Sequence, residues 1–130
     1  MFINGIEIRK GFNINDKQQE FTKQIFAGTK TEETRASHTL DSLIGQTVGI
    51  IRTGKGKAKI VGICKITGFV EYHTEAEFNA AYDRHLVRNG SKFDFNHSKT
   101  GHKVGYILED VVELQESIPC KSRGIVIRNI

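Results

Sequence analysis

Thr47–Phe69 reads TVGIIRTGKGKAKIVGICKITGF, and the class of the fold turns on this stretch. Two runs rich in Val and Ile, Thr47–Arg52 and Ala58–Phe69, flank the tetrad Gly54-Lys55-Gly56-Lys57. β-branched residues suit a pleated surface, and glycines supply the backbone freedom of a tight turn, so the stretch predicts two strands joined by a hairpin. The tetrad lies between strands and opens no helix. That excludes a P-loop and leaves a basic hairpin tip within reach of phosphate. Downstream, Gly105–Leu114 (GYILEDVVEL) and Gly124–Arg128 (GIVIR) read as further strands. Thirteen glycines and a single proline point the same way, toward many tight turns rather than a helix bundle.

Upstream of this β-rich region the pattern changes. Phe2-Ile3 and Ile6 to Ile8 flank Asn4-Gly5, a hairpin signal for an N-terminal β extension over residues 1–15. Asp16 with Gln19 resembles a capping box, Phe21, Ile25 and Phe26 form an apolar stripe, and Gly28 suits a C-terminal cap. Together they predict a helix over Lys17–Ala27. Leu40–Ile44 suits one helical turn, and Thr74 caps a second helix from Glu75 to about Val87, with Phe78, Ala81, Tyr82 and His85 on one face. Residues 88–103 (RNGSKFDFNHSKTGHK) are polar, basic and punctuated by glycine, and they read as one long loop. The expected fold is α+β within a single domain over 1–130. A small mixed β-barrel flanked by two helices would close these strands without exposed edges.

Composition narrows the function. Nineteen Lys and Arg against fifteen Asp and Glu give a formal charge of +4, too mild for histone-like binding yet compatible with a phosphate-bearing partner. No basic leader followed by an apolar run opens the chain and no apolar stretch would span a membrane, so a cytoplasmic protein with no membrane partner is expected. Cys64 and Cys120 then read as reduced thiols, with Cys120 a small apolar residue rather than a nucleophile. The five histidines show no metal-ligand spacing, His97 and His102 read as loop residues, and neither a metal nor a cofactor is expected.

One segment fits none of these patterns. Thr29–Thr39 (TKTEETRASHT) has Ala36 as its only apolar residue, which suits either an exposed loop or a strand lining a polar cleft. Within Gly28–Arg35 stands G-x-K-x-x-E-x-R, with Gly28, Lys30, Glu33 and Arg35 at the fixed positions. This motif, the helix before it, the strands after it and the Ile118-Pro119-Cys120 ending resemble ASCH domains, including those of phages and prophages. The resemblance spans Lys17–Ile130. It implies a PUA-like barrel with a cleft beside the motif, and a partner that is RNA, a nucleoside or a nucleotide. One branch of that family hydrolyses the amide of N4-acetylcytidine, and another is described as a ribonuclease. Here the resemblance to the amidohydrolase is partial, because Glu33 stands where its nucleophilic threonine belongs. Its acidic residue matches either Glu77 or Asp83.

Along a strand, Thr31, Glu33 and Arg35 face one side and Lys30, Glu32 and Thr34 the other. Lys30 therefore shares a cleft with Glu33 only from the turn after Gly28. A Glu33–Arg35 pair would offer a fixed carboxylate to base N–H groups, and Lys30 would meet a phosphate or carbonyl oxygen. A solvated surface ladder is the bland alternative for the same residues. A second candidate surface joins Arg84, Arg88, Lys92, Lys99 and Lys103 to Phe93, Phe95, Tyr72 and Tyr82, where rings would stack bases or else fold onto the core. The expected function is recognition of a nucleobase or nucleotide by Lys30, Glu33, Arg35, Arg88, Lys92, Phe93 and Lys99. The alternative is a metal-independent hydrolase, an amidohydrolase before a ribonuclease, with Lys30 and Glu33 beside Thr31 or Thr34 as nucleophile. A protein that binds a host protein for a phage is a third, lower-ranked reading.

Overall fold

In the computed structural model, which describes residues 1–130, the chain forms β1 (Phe2–Ile3), β2 (Ile6–Glu7), β3 (Lys10–Asn15), α1 (Phe21–Phe26) and β4 (Glu32–Arg35). It continues through β5 (Thr47–Thr53), β6 (Lys59–Tyr72), α2 (Glu75–Ala80), α3 (Tyr82–His85), β7 (Lys103–Pro119) and β8 (Ile127–Asn129). Short 3-10 turns lie at Asp41–Leu43 and Phe95–His97. The hairpin around Gly54–Lys57 sits mid-sheet, in a strand order of β4-β7-β6-β5-β3-β8. All pairings are antiparallel except β3 with β5. Residues 1–15 thus contribute more than the β1–β2 hairpin, since β3 is inserted between β5 and β8.

The expected barrel is not closed. β4 and β8 end the sheet and do not pair with each other. The long strands β6 and β7 bend instead, through register shifts near Ile60, Ile63 and Ile66. Bulges of this kind increase twist and curl a sheet without completing the ring. The fold class is α+β, and three short helices replace the two expected.

Both helix predictions were too long. Asp16 does not stand at the helix N-cap; its buried carboxylate accepts from the Thr22 amide at 3.2 Å and from the Thr22 hydroxyl. Gln19 reaches the Leu86 carbonyl at 2.8 Å rather than closing a capping box, so the chain turns helical only at Phe21. Gly28, at φ +80°, ends the helix as expected. The second helix breaks at Ala81 and stops at Leu86, which adopts φ 57°. The buried His85 ring explains the break. It stacks on Phe78 with centroids 4.0 Å apart, donates from Nε2 to the Phe78 carbonyl and accepts the Val87 amide at Nδ1. The imidazole supplies bonds that a continuous helix would make with backbone, and burial pushes its pKa down, holding it neutral.

The sheet carries two apolar clusters. The larger joins Phe12, Ile14, Val48, Ile50, Cys64 and Tyr106 to Phe21 and Ile25 of α1 and Phe78 of α2. The smaller packs Ile51, Ile60 and Ile63 against Ile3 and Ile8. Neighbouring Ile50 and Ile51 serve opposite clusters, as strand alternation requires. Both cysteines are free, Cys64 buried and Cys120 half-buried. No helix is long and apolar enough to cross a membrane. α1 presses on β6 at Gly62, where an added Cβ would lie 2.4 Å from the Phe26 ring and 2.6 Å from the Val112 carbonyl oxygen. Because the backbone oxygen cannot rotate away, Gly62→Ala should cost about 1–3 kcal/mol in urea unfolding. An unchanged midpoint would mean that α1 does not press on β6 here.

Candidate functional site

The polar segment Thr29–Thr39 after α1 forms neither a plain loop nor a surface ladder. After the Gly28 turn the chain enters β4, which pairs with β7 in the register Glu32 to Ile107 through Arg35 to Val104. Glu32 and Glu33 are both buried, on opposite faces. Glu32 turns to Tyr72 and Arg84, each 2.6 Å away. Glu33 turns to a cleft of about 390 Å³, bordered by β3 and β4 on one side and by the segment after α3 on the other. Volumes of this order suit one small ligand.

Lys30 reaches this cleft from the turn before β4. Its side chain is fully buried, with Nζ donating to the His85 carbonyl at 2.6 Å and lying 3.6 Å from Glu33 Oε1. The ammonium also sits 4.8 Å from the centre of the Phe21 ring. Burial pushes its pKa down, and the Glu33 carboxylate opposes that shift. Glu33 Oε2 accepts from Arg35 Nη2 at 3.0 Å. Arg35 Nη2 donates as well to the Asn13 carbonyl, whereas Arg35 Nε is buried with no partner. The motif is thus a Lys–Glu–Arg relay in which one carboxylate lies between two cations. Beside the relay on β3, Asn13 Nδ2 donates to the carbonyls of Gly124 and Ile125, which holds the exposed Ile125 at the cleft.

Several expected residues are not brought here. Thr31 is exposed and absent from the cleft lining, its backbone bonded to Arg84 and Leu108. Thr34 does line it. Lys92 and Phe93 border the cleft, but Arg88 and Lys99 are exposed outside it. The aromatic platform is largely dismantled by packing: Phe93 meets Phe21 edge-on, Phe95 leans on Phe78, and Tyr72 is buried. Arg84 is engaged by Glu32. Neither Glu77 nor Asp83 reaches the cleft, because both sit exposed on the short helices, where Glu77 serves the Thr74 cap. The carboxylate facing Lys30 is Glu33 itself.

Two cleft residues from the 88–103 segment stand outside the expected recognition set: Lys103, which the sequence places only on the basic aromatic surface, and His97. Lys103, only 5% exposed, lines the cleft and forms no ion pair within the chain. Burial pushes its ammonium down to about 8, against support from Glu33 and Asp94. A lysine opening a strand carries no local sign of burial. Its charge places it with the solvated lysines until β7 pairing turns it inward. His97 also lines the cleft, although spacing suggested only a loop residue. No cluster of His, Cys, Asp and Glu is placed to hold a metal ion.

Comparison with known proteins rests on shape. No family model matches the sequence. No curated protein matches it either. Solved structures do: the crystal structure of ASCH from Zymomonas mobilis aligns over 84% of this chain and 73% of its own, at 19% identity and a TM-score of 0.65. A serine-to-alanine variant of that protein aligns over 88% and 77%, at 22% identity and a TM-score of 0.66. A tyrosine-to-phenylalanine variant aligns over 84% and 75%, at 20% identity and a TM-score of 0.61. The chain therefore has the ASCH fold.

Proposed function

We propose that this chain is a binding module of the ASCH, PUA-like kind that recognises one nucleotide of an RNA, or a free nucleotide, in the cleft around Lys30, Glu33 and Arg35. The observation that carries the reading is the buried relay: a carboxylate fixed by two cations at the wall of a cleft sized for one small ligand. Glu33, held and aimed by Lys30 and Arg35, accepts from the N–H edge of a base. The Arg35 guanidinium, which lines the cleft, donates to a base or sugar oxygen. Lys30, Arg35, Lys92 and Lys103 outnumber the single carboxylate among the lining residues and favour an anionic ligand.

Binding is preferred to amide hydrolysis on one geometric ground. A lysine acting as base needs a hydroxyl within hydrogen-bond reach. The neighbours of Lys30 Nζ are the His85 carbonyl and Glu33, with no threonine among them. Titration of short single-stranded RNAs and free nucleotides should give saturable binding that weakens with salt. Glu33→Gln should lower affinity about tenfold, since one charge-assisted bond to a base amounts to about 1–3 kcal/mol. Equal affinity of variant and wild type, or binding indifferent to salt, would overturn the reading.

A further inference from the structure

Lys103 is a buried cation without a counter-ion, and its neighbours show what it awaits. Within the chain, Lys30 and Arg35 share Glu33, and Arg84 has Glu32. Lys103 has only the Phe78 ring, 5.7 Å from its Nζ, and it lines the cleft. A second group on the same lining is held ready by a buried carboxylate. Asp94, 2% exposed, accepts from the Gly90 amide at 2.6 Å, from the His97 amide at 3.0 Å and from His97 Nδ1 at 2.7 Å. The imidazole must therefore carry its proton on Nδ1, which leaves Nε2 with no partner in the chain. Lys92 completes a basic rim on this side of the cleft, 6.0 Å from the centre of the Phe93 ring.

We propose that Lys103, His97 and Lys92 form a phosphate subsite, so that the cleft selects a nucleoside monophosphate over the corresponding nucleoside. This rests on the nucleotide-binding reading above and extends it from the Lys30–Glu33–Arg35 relay to the 88–103 wall of the same cleft. The buried Lys103 ammonium supplies the point charge. His97 donates from Nε2 when protonated, with Asp94 fixing its ring and balancing its charge. Lys92, exposed, adds a flexible third donor at the mouth. A phosphate dianion has enough oxygens to meet all three, whereas a nucleoside hydroxyl leaves Lys103 unpaired. The 88–103 segment is then a built wall of the site, with Asp94 as its internal brace.

The charged groups that face Lys103 are Glu33 and Arg35 from β4, Lys30 from the turn before β4 and Asp94 from the loop. An anion bound among them keeps Lys103 protonated. Phosphate selectivity should therefore fade as pH rises through about 8.

The test is calorimetric titration of the whole chain with the four common ribonucleosides, their 5′- and 3′-monophosphates, and inorganic phosphate. At least one monophosphate should bind about tenfold or more tightly than its nucleoside, with inorganic phosphate weaker than either monophosphate. The ratio should collapse in both His97→Ala and Lys103→Met. Nucleosides and monophosphates of equal affinity would overturn the subsite while leaving the base-binding reading intact; no binding by any of them would remove both. A preference that survives in both variants would place the phosphate elsewhere and also overturn the inference. The nitrogen chemical shifts of His97 in the wild-type chain give a readout that needs no substitution. Nε2 should move on adding the monophosphate and not on adding the nucleoside, and an immobile Nε2 counts against the contact.

Discussion

Lys103→Met is expected to make the folded chain more stable at neutral pH while removing its preference for phosphorylated ligands. The unfolded lysine keeps its proton to about 10.5, but in the folded chain burial pushes the ammonium down to about 8. Between those values the unfolded state binds more protons, so wild-type stability rises with pH across this window and is penalised below it. A displacement of this size corresponds to about 3 kcal/mol when the charged form must be buried. Methionine keeps the apolar stem against Phe78 and lacks the charge, so the variant should gain up to that amount at pH 7. The gain should shrink toward zero near pH 10.5. Urea unfolding at pH 7 and pH 10 measures both quantities. A variant less stable than wild type at pH 7, or one with the same rise between the two pH values, would show that the ammonium is compensated in the ligand-free chain. A charge whose removal stabilises the fold is retained for a ligand, as stability–function trade-offs at binding sites lead one to expect.

The parts of this site legible in the sequence were those with a local signature. The Gly28 cap, the hairpin around Gly54–Lys57 and the alternation of β4 depend on residues close in the chain. From them followed the placing of Lys30 in the turn and the pairing of Glu33 with Arg35. Sequence reading failed where distant pairing decides. The barrel was a global inference about sheet edges, but shifts in the β6–β7 register curl the sheet without joining β4 to β8. The second helix was extended over a histidine whose ring, once buried, satisfies backbone groups on both sides of a break. Arg88 and Lys99 resembled Lys92 and Lys103 in every local respect. Only the path of the 88–103 segment, set by the buried Asp94, separates the cleft residues from the solvated ones.

Glu32 and Gly105 should prove coupled, and together they should have the largest structural effects in the chain. The Glu32 carboxylate, 2% exposed, crosses from β4 over Gly105 of β7 to accept from the Tyr72 hydroxyl and Arg84 Nε. A Cβ at Gly105 would lie 2.1 Å from Glu32 Oε1 and 3.0 Å from the Tyr72 ring. Gly105→Ala must therefore displace a carboxylate whose two bonds hold it in place, and should cost about 3 kcal/mol. Glu32→Ala removes the acceptor of a buried phenol and the partner of a guanidinium. Arg84 is half-exposed and regains water, so most of the loss falls on Tyr72, again about 3 kcal/mol. In the double variant the collision with the carboxylate no longer exists and only the milder contact with the Tyr72 ring remains. The combined loss should fall short of the sum by about 1–2 kcal/mol, the range for residues in direct contact. Strict additivity would mean that the two positions act independently and that Gly105 is required for some other reason. The coupling bears on binding because Glu32 and Glu33 are adjacent residues on opposite faces of one short edge strand. With Glu32 anchored, β4 cannot roll, and Glu33 and Arg35 keep their aim into the cleft. Glu32→Ala, assayed below its unfolding temperature, should therefore weaken nucleotide binding even though its side chain never faces the ligand.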